Sequence, residues 1–174
     1  MTPSLRKFVL TVHIMSSVGS LGAVAAFLGL ATAGLTSDDT GVQRGVYLGM
    51  ELITWFAIVP FILASPLIGV IQSLGTQWGL FRHYWVVVKL LLTVFVVIVL
   101  MLQTGAIGLM ARAARDRTWL STALFEVRLS LVVHAAGGLL VLLVTTALSV
   151  YKPRGLTPYG AHRRREFHGL PRAE

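Results

Sequence analysis

His13, Glu51, Lys89 and His134 stand inside runs that are otherwise lipid-soluble, and they are where this chain could do chemistry. An imidazole can ligate haem iron or a metal, and glutamate or lysine can serve with it as stations of a proton relay. Ionisable groups within a membrane are expensive, so they face the bundle interior, a partner or a wet cavity. Steps of three and four residues collect one helix face. Helix one then presents His13, Ser16 or Ser17, and Ser20; helix two presents Glu51, Ser65, Gly69 and Gln72. Helix three presents Lys89, Thr93 and Gln103, and helix four Ser130, His134, Gly137 and Thr145.

At about 1.5 Å of rise per residue these stripes sort into two layers. His13 and Lys89, with Gln72 and His83 close in depth, fall toward the end that carries both termini. Glu51, Gln103, Ser130 and His134 fall toward the opposite end. Glu51 with His134 is the expected acid–imidazole pair, and Arg128 and Glu126 either complete that layer or anchor helix four.

The elements that must position these groups follow from composition. A mean hydropathy of +0.77, with 55% hydrophobic and 13% charged residues over 174 positions, is an integral membrane composition. Spanning hydrocarbon takes roughly 20 apolar residues as helix. Four stretches qualify, approximately 8–35, 46–74, 84–110 and 129–151, with 152–174 left as a basic tail. The fold class expected is all-α, four transmembrane helices in an up-down bundle, because backbone groups in lipid must be satisfied within the helices. Arg6-Lys7 before an apolar run resembles a signal peptide, but the run exceeds the roughly 7 to 15 residues of a signal core, so the segment is expected to be retained.

Pro60 and Pro66 each remove an amide donor from the second helix, which is therefore expected to kink at both. Gly19, Gly22, Ala23, Ala26 and Gly29, with Gly137 and Gly138, predict close approach of helices one and four. Thr118-Trp119-Leu120 is expected to lie along the interface.

Lys and Arg accumulate on the cytoplasmic side of short loops. The count is ten on the side of the termini against five opposite, which predicts both termini cytoplasmic in a plasma membrane. Arg163-Arg164-Arg165 would add attraction to anionic lipid headgroups. No aromatic platform accompanies them, so nucleic acid is not an expected partner.

Several chemistries are excluded or left without support. The chain has no cysteine, which removes thiolate nucleophiles, iron–sulfur clusters and cysteine-based metal sites. No nucleophile elbow or phosphate loop occurs, and no catalytic residue is assigned. His13, His83, His134 and Glu51 do not share one depth, and no HxxxH or HExxH spacing occurs, so no metal site is expected.

The segments Leu5-Arg6-Lys7, His13-x-x-Ser16-Ser17-x-Gly19-x-Leu21-Gly22-Ala23, Met50-Glu51 and Trp78-Gly79-Leu80-Phe81-Arg82-His83-Tyr84-Trp85-Val86-x-x-Lys89 resemble an uncharacterised bacterial family of four-helix membrane proteins. That resemblance implies an architecture and no activity. More distantly, the chain is similar to CopD-type copper-resistance proteins and to HemJ-type membrane protoporphyrinogen oxidases, whose first helices carry a histidine near a glycine-rich turn. The tryptophan often found after that histidine is Ser20 here. The HemJ-type likeness implies His13 as a haem ligand and Lys89 as a nearby functional residue.

Three functions remain. The first is an accessory or helix-packing scaffold with a polar intramembrane core of Ser17, Ser20, Glu51, Lys89 and Gln103, docking a membrane-protein partner or another copy. The second is a haem b protein with a redox or haem-related role, its ligands drawn from His13, His83 and His134. The third is a small transporter or proton-relay component.

Overall fold

The computed structural model describes residues 2–75, 79–116, 123–153 and 155–162. In chain order the elements are α1 (Pro3–Thr36), α2 (Thr40–Ile53), a π-helical turn (Thr54–Ile58), α3 (Val59–Leu74), α4 (Tyr84–Asp116) and α5 (Ala123–Tyr151). α2, the π turn and α3 form one rod, Thr40–Leu74, so four rods are long and apolar enough to cross a membrane. The chain is an all-α, multi-pass membrane protein with the architecture of a four-helix bundle. The interfacial Trp119 segment and the Arg163 to Arg165 run lie outside the described residues.

The helices extend beyond the apolar stretches that betray them, because polar turns continue the backbone ladder past the hydrocarbon. Thr2 caps α1, its hydroxyl accepting from the Leu5 amide at 3.4 Å, and Pro3 occupies the first turn, where no donor is missed. Asp39 caps α2 by accepting from the Gly41 and Val42 amides at 2.7 and 3.1 Å. Only Ser37, Asp38 and Asp39 separate the first two helices, and α4 runs on to Asp116.

Of the two kinks expected in this rod, the one at Pro60 is marked by a π turn. In the π turn the Val59 amide donates five residues back, to the Thr54 carbonyl. Pro60 would otherwise drive its ring into the Phe56 carbonyl, and the wide turn just before it relieves that clash. Thr54 is fully buried there and donates to the Met50 carbonyl at 2.7 Å. Pro66 lies inside an unbroken α3.

Packing is asymmetric along the bundle axis. The core of Val24, Phe27, Tyr47, Met50, Ile107 and Met110 fills the half distal to the termini, and Tyr47, Met50 and Met110 are each only 1% exposed. In that half α2 packs along α4. Toward the termini α3 stays packed on α1 but touches α4 sparingly and does not pack on α5, so it parts from α4 and opens a gap.

α1 does pack closely on α5, but not through most of the glycines that suggested it. A Cβ added at Gly22, Gly29, Gly137 or Gly138 would meet nothing within 4 Å. Gly19 alone of that set is tight, with the Phe61 ring 3.0 Å from a Cβ there. The small residues that these two helices bury are instead Ser16, Ser20, Ala23, Ala31 and Gly34 of α1 and Ala135 of α5.

Part of the C-terminal tail is docked. Thr157 donates its amide to the Arg82 carbonyl at 3.0 Å and its hydroxyl to the Phe81 carbonyl at 2.5 Å. A single antiparallel bridge joins His83 to Leu156. Gly160 sits so close to the Arg82 carbonyl that a Cβ would fall 2.3 Å from its oxygen.

Candidate functional site

The gap between α3 and α4 holds a chamber of about 500 Å³ in the half that carries the termini. That volume lies within the range of small-molecule sites. All four rods contribute to it, and their polar stripes meet there: His13 and Ser17 from α1, Ser65 and Gln72 from α3, Lys89 from α4 and Ser149 from α5. Apolar side chains, including Ile14, Val70 and Leu142, make up the rest of the wall.

Each polar group is held for a local reason. Ser16 and Ser20 return their hydroxyls to carbonyls of their own helix, His13 and Ser16 respectively, at 3.0 and 2.7 Å. Ser17 instead crosses to α3 and shares a hydrogen bond with Ser65 at 2.9 Å, joining the two helices beside His13. Lys89 donates to the Ser149 hydroxyl at 2.7 Å, and that hydroxyl donates in turn to the Thr145 carbonyl at 2.8 Å. A lysine one turn inside a membrane helix could have extended to the interface. Ser149 holds it inward.

His13 occupies space that Gly69 leaves free, since a Cβ at Gly69 would stand 3.2 Å from the imidazole Cε1. Its Nδ1 is buried and has no hydrogen-bond partner, and the same holds for the Ser73 hydroxyl on the chamber wall. Buried polar atoms in native proteins are nearly always satisfied. Two of the three such orphans among the described residues belong to side chains that line this chamber; the third, Gln43 Oε1, lies outside it.

The three histidines are not brought together. Of His13, His83 and His134, His13 alone lines the chamber. His83 is held at the start of α4 by the bridge to Leu156, with the Trp85 ring 6.4 Å away. His134 is exposed and bonds through Nδ1 to the carbonyl of Ser130, one turn back, at 2.7 Å. It edges a second recess of about 260 Å³ that is apolar apart from Gln103 and His134 itself. Gln103 donates to the Ser130 hydroxyl at 3.4 Å, so three members of the distal polar layer do meet.

Glu51 leaves that layer. It forms an ion pair with Arg115 and makes none with His134. The cause is the length of α4, whose extra turns beyond residue 110 carry Arg115 back over α2. Among the described residues no three histidine, aspartate or glutamate side chains are placed to hold a metal ion.

No family model, curated protein or solved structure matches the chain. The site is therefore read from its own groups. Ser73 and Ser149 were missing from the stripes traced along the sequence. Ser149 is the next step of the helix-four stripe beyond Thr145, and continuing that count by four would have found it. Ser73 lies four residues beyond Gly69, so a step of four where the trace took three to Gln72 would have found it too.

Proposed function

We propose that the chain is an integral membrane binding protein that takes an amphipathic, lipid-soluble molecule into the chamber of its terminal half. The observation that carries this reading is one chamber lined by polar residues of all four rods, two of which, His13 and Ser73, keep a side-chain polar atom without a partner. A scaffold whose polar groups serve only to pack helices would satisfy them among themselves, as the Ser17 to Ser65 and Lys89 to Ser149 bonds do. An occupant with both polar and apolar parts matches the wall, and the sparse packing of α3 on α4 supports access from the bilayer.

The haem reading is carried by His13 alone. Among the described residues His13 is the one histidine that lines the chamber, and no methionine lines it. Haem b held there would have one protein ligand and an open position, and would supply redox or diatomic-ligand chemistry when bound.

The protein sits in the plasma membrane with both termini cytoplasmic, a placement supported by the ten-to-five bias of basic residues. The basic tail then lies against anionic headgroups. The test of function is direct: the protein is purified from its membrane in mild detergent, its spectrum recorded, and organic extracts compared by mass spectrometry with those of a Thr93→Trp variant. A small molecule enriched with the wild type and lost from the variant is expected. A Soret band would transfer the conclusion to haem, and identical extracts from both proteins would remove the binding reading.

A further inference from the structure

Lys89 lines the chamber, and among the described residues no aspartate or glutamate does. The ion pair found among the described residues, Glu51 with Arg115, is in the distal half. Lys89 thus has a hydroxyl partner, Ser149, and no carboxylate.

We infer that the occupant of the chamber is an amphiphile bearing a carboxylate or phosphate group, and that Lys89 is the residue that binds this anion. The inference rests on the binding reading above and names the chemical class of the ligand. A cation kept away from water without a counter-charge is strongly unfavourable, and proteins resolve this by pairing. Here the bundle withholds the counter-charge and still turns the lysine inward. Ser149 takes one of the three ammonium protons, which leaves two donors for an anion.

The neighbours suit such a group. The Ser73 hydroxyl can donate to an anionic oxygen, Gln72 adds a side-chain amide, and His13 can donate through whichever ring nitrogen carries its proton. Around them, Leu10, Ile14, Leu21, Val70 and Leu90 provide the surface for an acyl chain or an apolar ring system. A neutral lipid-soluble molecule would fill the same apolar wall but leave the lysine unneutralised. The charge asymmetry selects between them.

Trp85 lines the chamber and supplies the probe. In a variant with Trp55, Trp78 and Trp119 changed to phenylalanine, the full chain in uncharged detergent is titrated with dibrominated stearate, dibrominated stearyl phosphate and the methyl ester of the dibrominated acid. Bromine quenches indole fluorescence on contact. The two anions are expected to quench Trp85 at concentrations about tenfold below the ester, the advantage of a charge-assisted hydrogen bond. Lys89→Gln is expected to bring the anions to the level of the ester, and Lys89→Arg to retain the preference. A companion variant that keeps only the lipid-exposed Trp55, 53% accessible, reports bulk partitioning and should show no difference between acid and ester.

The arms separate the possible failures. Equal quenching of Trp85 by acid and ester in the variant with Lys89 intact overturns the anion inference and leaves the chamber reading standing, without dependence on a substitution that could misfold. A preference that survives Lys89→Gln overturns the role of Lys89. Absence of Trp85 quenching by all three amphiphiles overturns both the inference and the binding reading. Stronger quenching by the phosphate than by the carboxylate, or the reverse, identifies which anion the chamber takes.

Discussion

Arg128 of α5 donates from Nε to the Tyr47 hydroxyl of α2 at 2.7 Å, and its Nη2 reaches the carbonyls of Gly34 and Leu35 at the end of α1. The last carbonyls of a helix have no partner within it and carry the negative end of its dipole. One guanidinium therefore satisfies the end of α1 and binds three of the four rods together. Arg128→Met is expected to lower stability by about 1.5 to 3 kcal/mol, the range for hydrogen bonds to a charged group. Tyr47→Phe, which removes one bond, should lose about 0.5 to 1.5 kcal/mol. Unfolding in mixed micelles would measure both, and an Arg128→Met protein as stable as the wild type would refute the staple.

The same junction fixes what Gly34 must be. A Cβ there would stand 2.9 Å from Tyr47 Cζ and 3.0 Å from Val46 Cγ1. Tyr47 is 1% exposed and tied to Arg128, so it cannot give way. Gly34→Ala is expected to destabilise by about 1 to 3 kcal/mol, as overpacking does. Gly22→Ala meets nothing within 4 Å and should stabilise by about 0.5 to 1 kcal/mol through helix propensity alone. Thermal unfolding of the two variants side by side makes the comparison, and a Gly34→Ala protein no weaker than Gly22→Ala would contradict the packing argument.

The contrast between these glycines shows what the sequence could and could not tell. Four spans, their order and a polar stripe on each were legible, because membrane hydropathy and a period of three to four residues are local properties. The layer containing His13, Lys89 and Gln72 was legible for the same reason, since depth follows from counting along each helix. Rotation between helices was not. Whether Gly22 or Gly34 touches a neighbour depends on which face each helix turns inward, and two small residues on one helix look alike in sequence. The chamber was equally hidden, because it arises where α3 leaves α4, and no local pattern records that two helices part.

Glu51 gives a third expectation. Its partner Arg115 is 51% exposed at the side chain and Glu51 itself 22%, so the pair is not sealed in the core. Exposed ion pairs contribute little, and a double-mutant cycle between Glu51→Gln and Arg115→Gln should give a coupling of about 0.2 to 1 kcal/mol. The corresponding cycle with His134→Ala should give none, since His134 is turned back on its own helix at Ser130. A clear coupling of Glu51 to His134 would restore the acid–imidazole pair that spacing suggested and would contradict the arrangement of α4 over α2.

Orientation in the membrane can be tested with unusual clarity because the chain has no cysteine of its own. Asp38 is exposed in the three-residue link between α1 and α2, and Pro153 is exposed just beyond α5, at the opposite end of the bundle. With the termini cytoplasmic, a membrane-impermeant maleimide added to intact cells should label an Asp38→Cys protein and spare a Pro153→Cys protein, which should react only after the membrane is opened. The basic count alone leaves one weak point, the cluster Arg112, Arg115 and Arg117 opposite the termini. Labelling of Pro153→Cys in intact wild-type background would instead place the chamber and its lysine at the outer face.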